Sequence, residues 1–184
     1  GTMPVAAIAG DYDNDGRMDL FVLGFPENRL YRQTDNGRFV DVTQSAGIRQ
    51  TGTLNGTAAF VDVDHDGDLD IVLGGLAAVR TPFSATTTVT AGTFPEAYVP
   101  ASSQLLRNDG NGRFTDITAE ARVAFSGHAV GIIPTDFDNH RDVDLLVVGY
   151  GDRVSLFSNS RDGTFRDVAS DAGLPADDRY TAVA

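Results

Sequence analysis

A nine-residue acidic loop occurs three times in this chain of 184 residues. Residues 11–19 read DYDNDGRMD and residues 62–70 read DVDHDGDLD, while residues 136–144 hold a degenerate copy, DFDNHRDVD. Aspartates at loop positions 1, 3, 5 and 9 supply the oxygen ligands that a hard cation prefers, and the glycine at position 6 permits a sharp turn. The repetition therefore indicates an array of similar units.

A second motif follows each acidic loop at a similar distance. It consists of a short apolar run, a turn ending in glycine and an alternating run, and the turn glycines are Gly37, Gly112 and Gly163. Asn-Gly and Asp-Gly turns favour β-hairpins because they accept positive φ. A small apolar run precedes each acidic loop, and a continuous apolar run typical of a strand buried on both faces follows it. Each unit thus has four predicted strands, which is typical of a β-propeller blade.

The predicted fold class is therefore all-β, with β-propeller blades of four antiparallel strands. The motifs place blade 1 at about 4–47, blade 2 at about 54–122 and blade 3 at about 128–174, and residues 180–184 match the start of a further blade. Three blades are fewer than the roughly four to eight that close a propeller. We therefore expect either a part of a larger propeller or a homo-oligomer in which chains complete a ring.

The second unit carries an insertion at residues 77–102 between its second and third strands. The insertion is rich in threonine, and we interpret residues 83–94 as a projecting hairpin. Two interpretations remain open for it, a binding loop and a tolerated surface insertion.

The charge of the chain excludes several classes of partner. The formal net charge is −12, and 13 of the 26 acidic residues lie in the three loops and the residue after each. Such a charge disfavours binding to nucleic acid or to an anionic membrane. No apolar run approaches the roughly 20 residues of a membrane-spanning helix. Aspartate outnumbers glutamate by 23 to 3, which argues against a helical protein.

The whole chain resembles the FG-GAP/VCBS repeat family, which includes the propeller repeats of integrin α subunits and of many bacterial secreted proteins. The acidic loops and the hairpin segments ending in Phe-x-Asp-Val/Ile-Thr carry the resemblance, which is strongest to the bacterial and cartilage-acidic-protein-like branch. It implies a Ca²⁺ ion in each loop, between the first and second strands of a blade. The implied side-chain ligands and carbonyl ligands are Asp11, Asp13, Asp15 and Asp19 with the carbonyl of Arg17, then Asp62, Asp64, Asp66 and Asp70 with the carbonyl of Asp68, then Asp136, Asp138 and Asp144 with the carbonyl of Asp142.

The third loop departs from the pattern at two positions. His140 replaces the aspartate at position 5, and Arg141 replaces the glycine at position 6. Imidazole is a poor ligand for Ca²⁺, and a side chain at position 6 strains the turn. We therefore expect two calcium sites and a third that is weak, empty or distorted.

For all three loops, the alternative is a set of turns capped by aspartate side chains without a metal. Crowded carboxylates repel one another when no cation is present, and this favours the metal interpretation. The expected role of the metal is structural, because it would clamp the first strand of a blade to the second.

No catalytic set emerges from the sequence, which has no cysteine and only three histidines. We expect a non-catalytic, calcium-stabilised module that recognises a protein or a glycan through the loops opposite the metal loops. One alternative is part of an extracellular polysaccharide-active, lyase-like enzyme, and another is an engineered propeller-assembly scaffold. Dependence on Ca²⁺ favours an extracellular or periplasmic location.

Overall fold

Three four-stranded antiparallel sheets dominate the computed structural model, which describes residues 2–49, 52–78, 98–151 and 153–174. In each sheet the strands are hydrogen-bonded in chain order, apart from a short strand that the second sheet skips. The first sheet holds β1 (Met3–Gly10), β2 (Asp19–Phe25), β3 (Arg29–Gln33) and β4 (Phe39–Asp41). The second holds β5 (Thr53–Val61), β6 (Asp70–Ala78), β8 (Gln104–Asn108) and β9 (Phe114–Asp116). The short strand β7 (Ala101–Ser102) precedes β8 in the chain and is not part of this sheet. The third, which follows α1 (Thr118–Ala121) and β10 (Ser126–Gly127), holds β11 (Ala129–Thr135), β12 (Asp144–Gly149), β13 (Val154–Asn159) and β14 (Phe165–Asp167).

These sheets confirm the predicted four-stranded antiparallel blades, and we call them blades 1, 2 and 3. Each acidic loop joins the first and second strands of its blade, as the motifs predicted. The expected start of a fourth blade at 180–184 and the expected hairpin at 83–94 lie outside the described residues.

Both ends of the insertion at 77–102 take part in strand pairing. Ala77 and Ala78 continue β6, and Ala78 forms a bridge with Val99. The strand β7 pairs antiparallel with β10, outside the four-stranded sheets. The short helix α1 follows β9, and no helix among the described residues is long and apolar enough to cross a membrane.

Two apolar clusters hold the blades together. Phe21, Leu23 and Leu30 on one face of blade 1 share a buried cluster with Ile71 and Leu73 of blade 2. The opposite face of blade 2 forms the next cluster with blade 3, through Val72, Leu105, Leu145, Val147 and Phe157. Because β6 contributes to both clusters, all its residues from Asp70 to Ala77 are buried, which confirms the prediction of a strand with both faces covered.

The first strands of the blades lie next to one another and approach closely. The strand β5 packs against both β1 and β11. A Cβ atom at Gly56 in β5 would lie 2.5 Å from the carbonyl oxygen of Ala129 in β11. Glycine is therefore required at this contact, because no real Cβ atom approaches a carbonyl oxygen so closely.

Asparagine side chains at the ends of the third strands bond neighbouring blades across their interface. Asn108 of blade 2 donates through Nδ2 to the carbonyl oxygen of Tyr12 in the first acidic loop at 2.8 Å. Asn159 of blade 3 donates in the same way to the carbonyl oxygen of Val63 in the second loop, also at 2.8 Å. The two contacts are equivalent by repeat position, so each of the first two acidic loops is fixed by the blade that follows it.

Replacing Asn108 with alanine is expected to lower the free energy of unfolding by about 2–3 kcal/mol, because it leaves the buried carbonyl of Tyr12 without its donor. Chemical denaturation of the N108A variant measures this loss. N111A is the matched control, since Asn111 is exposed in the next turn and bonds only the backbone nitrogen of Arg113 there. Equal stability of N108A and the parent chain would contradict a role for this bond in joining the blades.

Candidate metal centre

Each acidic loop is closed by its first aspartate. Asp11 accepts backbone hydrogen bonds from Asp15 at 3.0 Å and Gly16 at 2.8 Å. At the same position, Asp62 accepts from Gly67 and Asp136 accepts from Arg141, both at 3.1 Å. These bonds turn the chain back on itself, so that the carboxylates at positions 1, 3 and 5 come together.

The ninth aspartate of each loop is buried and holds the loop to the sheet. Asp70 is 1% exposed and accepts from the backbone nitrogen atoms of Val63 and Asn108, at 3.0 and 2.7 Å. Asp19 and Asp144 make the equivalent pairs of bonds in blades 1 and 3. This residue therefore ties its loop to the third strand of the same blade, whatever further role its oxygens have.

The structure brings three carboxylates together in every loop. Each of the following sets offers carboxylate oxygens that lie within 4.8 Å of one another: Asp11, Asp13 and Asp15; Asp62, Asp64 and Asp66; and Asp136, Asp138 and Asp144. A group of three hard oxygen donors at this spacing could hold a cation. The sets of the first two loops occupy positions 1, 3 and 5, while the third set uses positions 1, 3 and 9.

Two buried carboxylate oxygens in these sets have no hydrogen-bond partner among the described residues. They are Oδ1 of Asp13 in the first loop and Oδ1 of Asp62 in the second. A buried polar atom without a partner costs free energy, and a buried negative charge costs more. The donor set of the first two loops therefore fits a hard divalent cation, which would supply the missing partner.

The crowding and burial of the carboxylates raise several pKa values in the metal-free chain. Desolvation raises the pKa of Asp13, and the charges of Asp19 and Asp15 raise it further. Burial also raises the pKa of Asp70 to about 7, although its two backbone donors oppose the shift. The pKa of Asp64 is raised by desolvation and then by the charge of Asp66. A divalent cation would oppose all these shifts, because it stabilises the charged carboxylates.

The third loop differs in geometry as well as in sequence. Nδ1 of His140 lies 2.9 Å from Oδ2 of Asp138, so that the imidazole contacts a carboxylate of the set. Arg141 adopts φ of +65°, in the left-handed region that Gly16 and Gly67 occupy in the other loops. A non-glycine residue there costs about 1–2 kcal/mol. Both observations support the expectation of a weaker third site.

The sequence motif did not reveal a second row of contacts that joins successive loops. Asn14, at position 4 of the first loop, donates to Oδ1 of Asp68, at position 7 of the second loop, at 2.7 Å. His65, at position 4 of the second loop, places Nε2 3.5 Å from Oδ1 of Asp142, at position 7 of the third loop. Position 4 of each of the first two loops therefore lies against the next loop.

Asp142 also accepts hydrogen bonds from Nε of Arg161, at 2.5 Å to Oδ1 and 2.6 Å to Oδ2. Its carboxylate is 6% exposed, so the charge is buried and paired. The residues implied as carbonyl ligands, Arg17, Asp68 and Asp142, therefore use their side chains for contacts around the loops. The side chain of Arg17 contacts Asp15 and lies 2.8 Å from Asp35.

Comparison with known proteins finds a family model that matches part of the chain. Residues 11–73 match the model of the FG-GAP-like repeat. No curated protein matches the sequence closely enough to count as a relative. Among solved structures, the chain is similar to an Agrocybe aegerita lectin described for specific recognition of non-reducing terminal N-acetylglucosamine. That likeness has 14% identity and a TM-score of 0.46, and it covers 94% of this chain and 41% of the lectin chain.

Proposed function

We propose that this chain, of which residues 11–73 match the FG-GAP-like repeat, is a calcium-stabilised, non-catalytic β-propeller module for the recognition of a protein or a glycan. The observation that carries the calcium part is the pair of unpartnered buried oxygens on Asp13 and Asp62, each within a set of three carboxylates. Ca²⁺ suits such sets because it accepts six to eight oxygen ligands in flexible geometry.

The proposed calcium ligands in the first two loops are the carboxylates at positions 1, 3, 5 and 9 and the carbonyl oxygens of Arg17 and Asp68. The third loop would bind more weakly, through Asp136, Asp138 and Asp144 and the carbonyl oxygen of Asp142. When bound, the ion would join the first and second strands of a blade by cross-linking their connecting loop. Its binding free energy would then add to the free energy of unfolding.

The position of the carboxylates supports the non-catalytic part of the proposal. The acids with raised pKa values, Asp13, Asp19, Asp64, Asp70 and Asp144, all belong to the three acidic loops. A perturbed pKa is a mark of a functional group, and the proposed binding of Ca²⁺ is a function for these carboxylates that needs no catalysis. The recognition role is supported by grooves between the blades, one of which has a volume of about 560 Å³, within the range of ligand pockets.

The outer face of blade 1 supports a further part of the proposal, that another blade or a second copy of the chain covers it. Leu20, Val22 and Tyr31 on the open face of blade 1 are half-buried, whereas the equivalent Ile71, Leu73 and Leu106 of blade 2 are buried against blade 1. Blade 2 thus uses the equivalent face to stack against blade 1 within the chain.

We also propose an extracellular or periplasmic location, where Ca²⁺ concentrations suit loops of this kind.

Isothermal titration of the calcium-depleted chain with CaCl₂ tests the metal assignment. We expect two sites of similar affinity, assigned to the first two loops by the loss of one site in D13N and of the other in D62N. Binding that is unchanged in both variants, or absent from the parent chain, would overturn the calcium assignment.

Restoring the consensus in the third loop is expected to create a third strong site. The double variant H140D/R141G returns a carboxylate to position 5 and a glycine to the left-handed position of the turn. The stoichiometry of Ca²⁺ binding should rise from two to three, and the R141G variant alone should be more stable by about 1 kcal/mol because it relieves the backbone strain. A stoichiometry that stays at two would show that the defect of this loop lies elsewhere.

A further inference from the structure

A polar groove runs along the outer strands of blade 2 where blade 1 meets it. Gln104 and Leu106 of β8 and Phe114 and Asp116 of β9 line it, together with Arg49 from the loop after β4 and Arg113 from the turn between β8 and β9. Its volume is about 560 Å³. We call it the blade 1–2 groove, and the acidic sets of the metal loops are not part of its lining.

Within the described residues, the acidic side chains of this groove accept hydrogen bonds, whereas the side chains of its two arginines donate none. Asp116 accepts from Thr118 through one oxygen and from Gln104 through the other, the latter at 2.9 Å. Asp109, at the end of the groove, accepts from Arg107 at 3.0 Å and Thr115 at 2.8 Å. These carboxylates are thus already held by neutral and cationic donors.

Arg49 and Arg113, in contrast, make no side-chain hydrogen bond or ion pair with the part of the chain that the structure describes. Both are exposed, and both line the same groove. Each guanidinium carries five donors in a planar fork that matches a carboxylate or a sulfate. Arg49 and Arg113 lie near enough to Asp116 and Asp109, respectively, to interact with their charges. Their hydrogen-bond donors nevertheless remain available for an anion that enters the groove.

We propose that the blade 1–2 groove binds a saccharide that carries an acidic group, with Arg49 and Arg113 on the acidic group and Asp109, Asp116 and Gln104 on the hydroxyls. The proposal rests on the recognition function proposed above and names its ligand class. Carboxylate oxygens that already accept one bond retain lone pairs for sugar hydroxyls. The mixture of free cationic donors and polar acceptors matches a ligand that presents both hydroxyls and a negative charge.

The backbone of the groove favours a saccharide over an acidic peptide. A peptide that added a strand to the blade would need the free edge of β9, since β9 is the last strand of its sheet. The loop of blade 1 already occupies part of that edge, because the backbone nitrogen of Phe114 donates to the carbonyl oxygen of Ala46 at 2.8 Å. Recognition in the groove therefore relies on side chains.

The groove is specific to this pair of blades. The repeat positions of Gln104, Asp109 and Arg113 hold Ser155, Ser160 and Thr164 in blade 3. At these three repeat positions blade 3 thus has neither an arginine nor an acid, and Arg161 of its turn is paired with Asp142. One saccharide per chain is therefore expected at sites of this composition within the described blades.

Titration with trigalacturonate, in parallel with its neutral counterpart galactotriose, tests the proposal. We expect the parent chain to bind trigalacturonate with an affinity that falls as NaCl is added, and to bind galactotriose at least about tenfold more weakly. Each of R49Q and R113Q should weaken trigalacturonate binding by about tenfold or more. R38Q is the matched control, because Arg38 precedes Phe39 as Arg113 precedes Phe114 but lies outside the groove, and it should bind like the parent chain.

Three results would overturn the proposal: no trigalacturonate binding by the parent chain, equal binding of galactotriose, or unchanged binding in both R49Q and R113Q. A triglutamate peptide that bound as tightly through the same arginines would also overturn it and reassign the groove to acidic peptides. Each titration is carried out at one fixed CaCl₂ concentration, and Ca²⁺ stoichiometry is measured separately on the same samples. Failure of the groove proposal is thereby distinguished from failure of the calcium proposal.

Discussion

Removal of Ca²⁺ with EGTA is expected to lower the thermal midpoint of this chain by roughly 10–20 °C. A site whose free Ca²⁺ is about 100 times the dissociation constant adds about 2.7 kcal/mol, so two sites add about 5 kcal/mol. For a chain of this size, each kcal/mol corresponds to about 2–4 °C. The physical source of the effect is the group of carboxylates in the first two loops, which repel one another unless a cation lies between them. Thermal unfolding followed by circular dichroism, with EGTA and then with excess CaCl₂, measures the shift.

A matched set of variants separates the loops from a general effect of charge. D13N and D62N each remove the negative charge of a carboxylate that has a buried oxygen without a partner in the described structure, so each should lose about half of the Ca²⁺-dependent shift. D171N makes the same chemical change at an exposed aspartate that pairs with Arg166 outside the loops, and it should keep the full shift. A midpoint that is the same with EGTA and with CaCl₂ would mean that the loops are aspartate-capped turns in this chain.

The parts of the structure that could be predicted are those controlled by short-range rules. The turn glycines Gly37, Gly112 and Gly163 all have positive φ, and the hairpins they form follow from that conformational requirement. The continuous apolar run of β6 predicted a strand covered on both faces, and both faces are covered by neighbouring blades. The three acidic sets followed from the spacing of aspartates within a single loop, where sequence separation and spatial separation are closely linked.

The parts that could not be predicted depend on which residues of different repeats meet. The bond from Asn14 to Asp68 and the contact of His65 with Asp142 join residues that are 54 and 77 positions apart, respectively. The spacing within one loop does not reveal either pair, because both depend on how far one blade is rotated against the next. The pairing of β7 with β10 could not be predicted for a different reason, because both strands have only two residues and no periodic pattern.

Substitution of Val22 by arginine is expected to leave the fold intact and to abolish self-association of the chain. Val22 lies on the open face of blade 1 and is half-buried, so an arginine there can reach solvent. If a second copy covers this face through the stacking surface used between blades 1 and 2, the arginine would become an unpaired charge inside an apolar contact, which is strongly unfavourable. Sedimentation velocity should show a discrete oligomer for the parent chain and a monomer for V22R, with equal far-ultraviolet circular dichroism.

Leu73 provides the internal comparison, because it holds the same repeat position in blade 2 and is 2% exposed in the cluster with blade 1. L73R places the same charge at a contact within the chain, where it should cost more than about 4 kcal/mol and unfold much of the population. If stacking surfaces are equivalent by repeat position, arginine thus breaks an intermolecular contact at Val22 and an intramolecular one at Leu73. A parent chain that sediments as a monomer at high concentration, or a V22R chain that associates like the parent, would contradict the use of this face by a second copy.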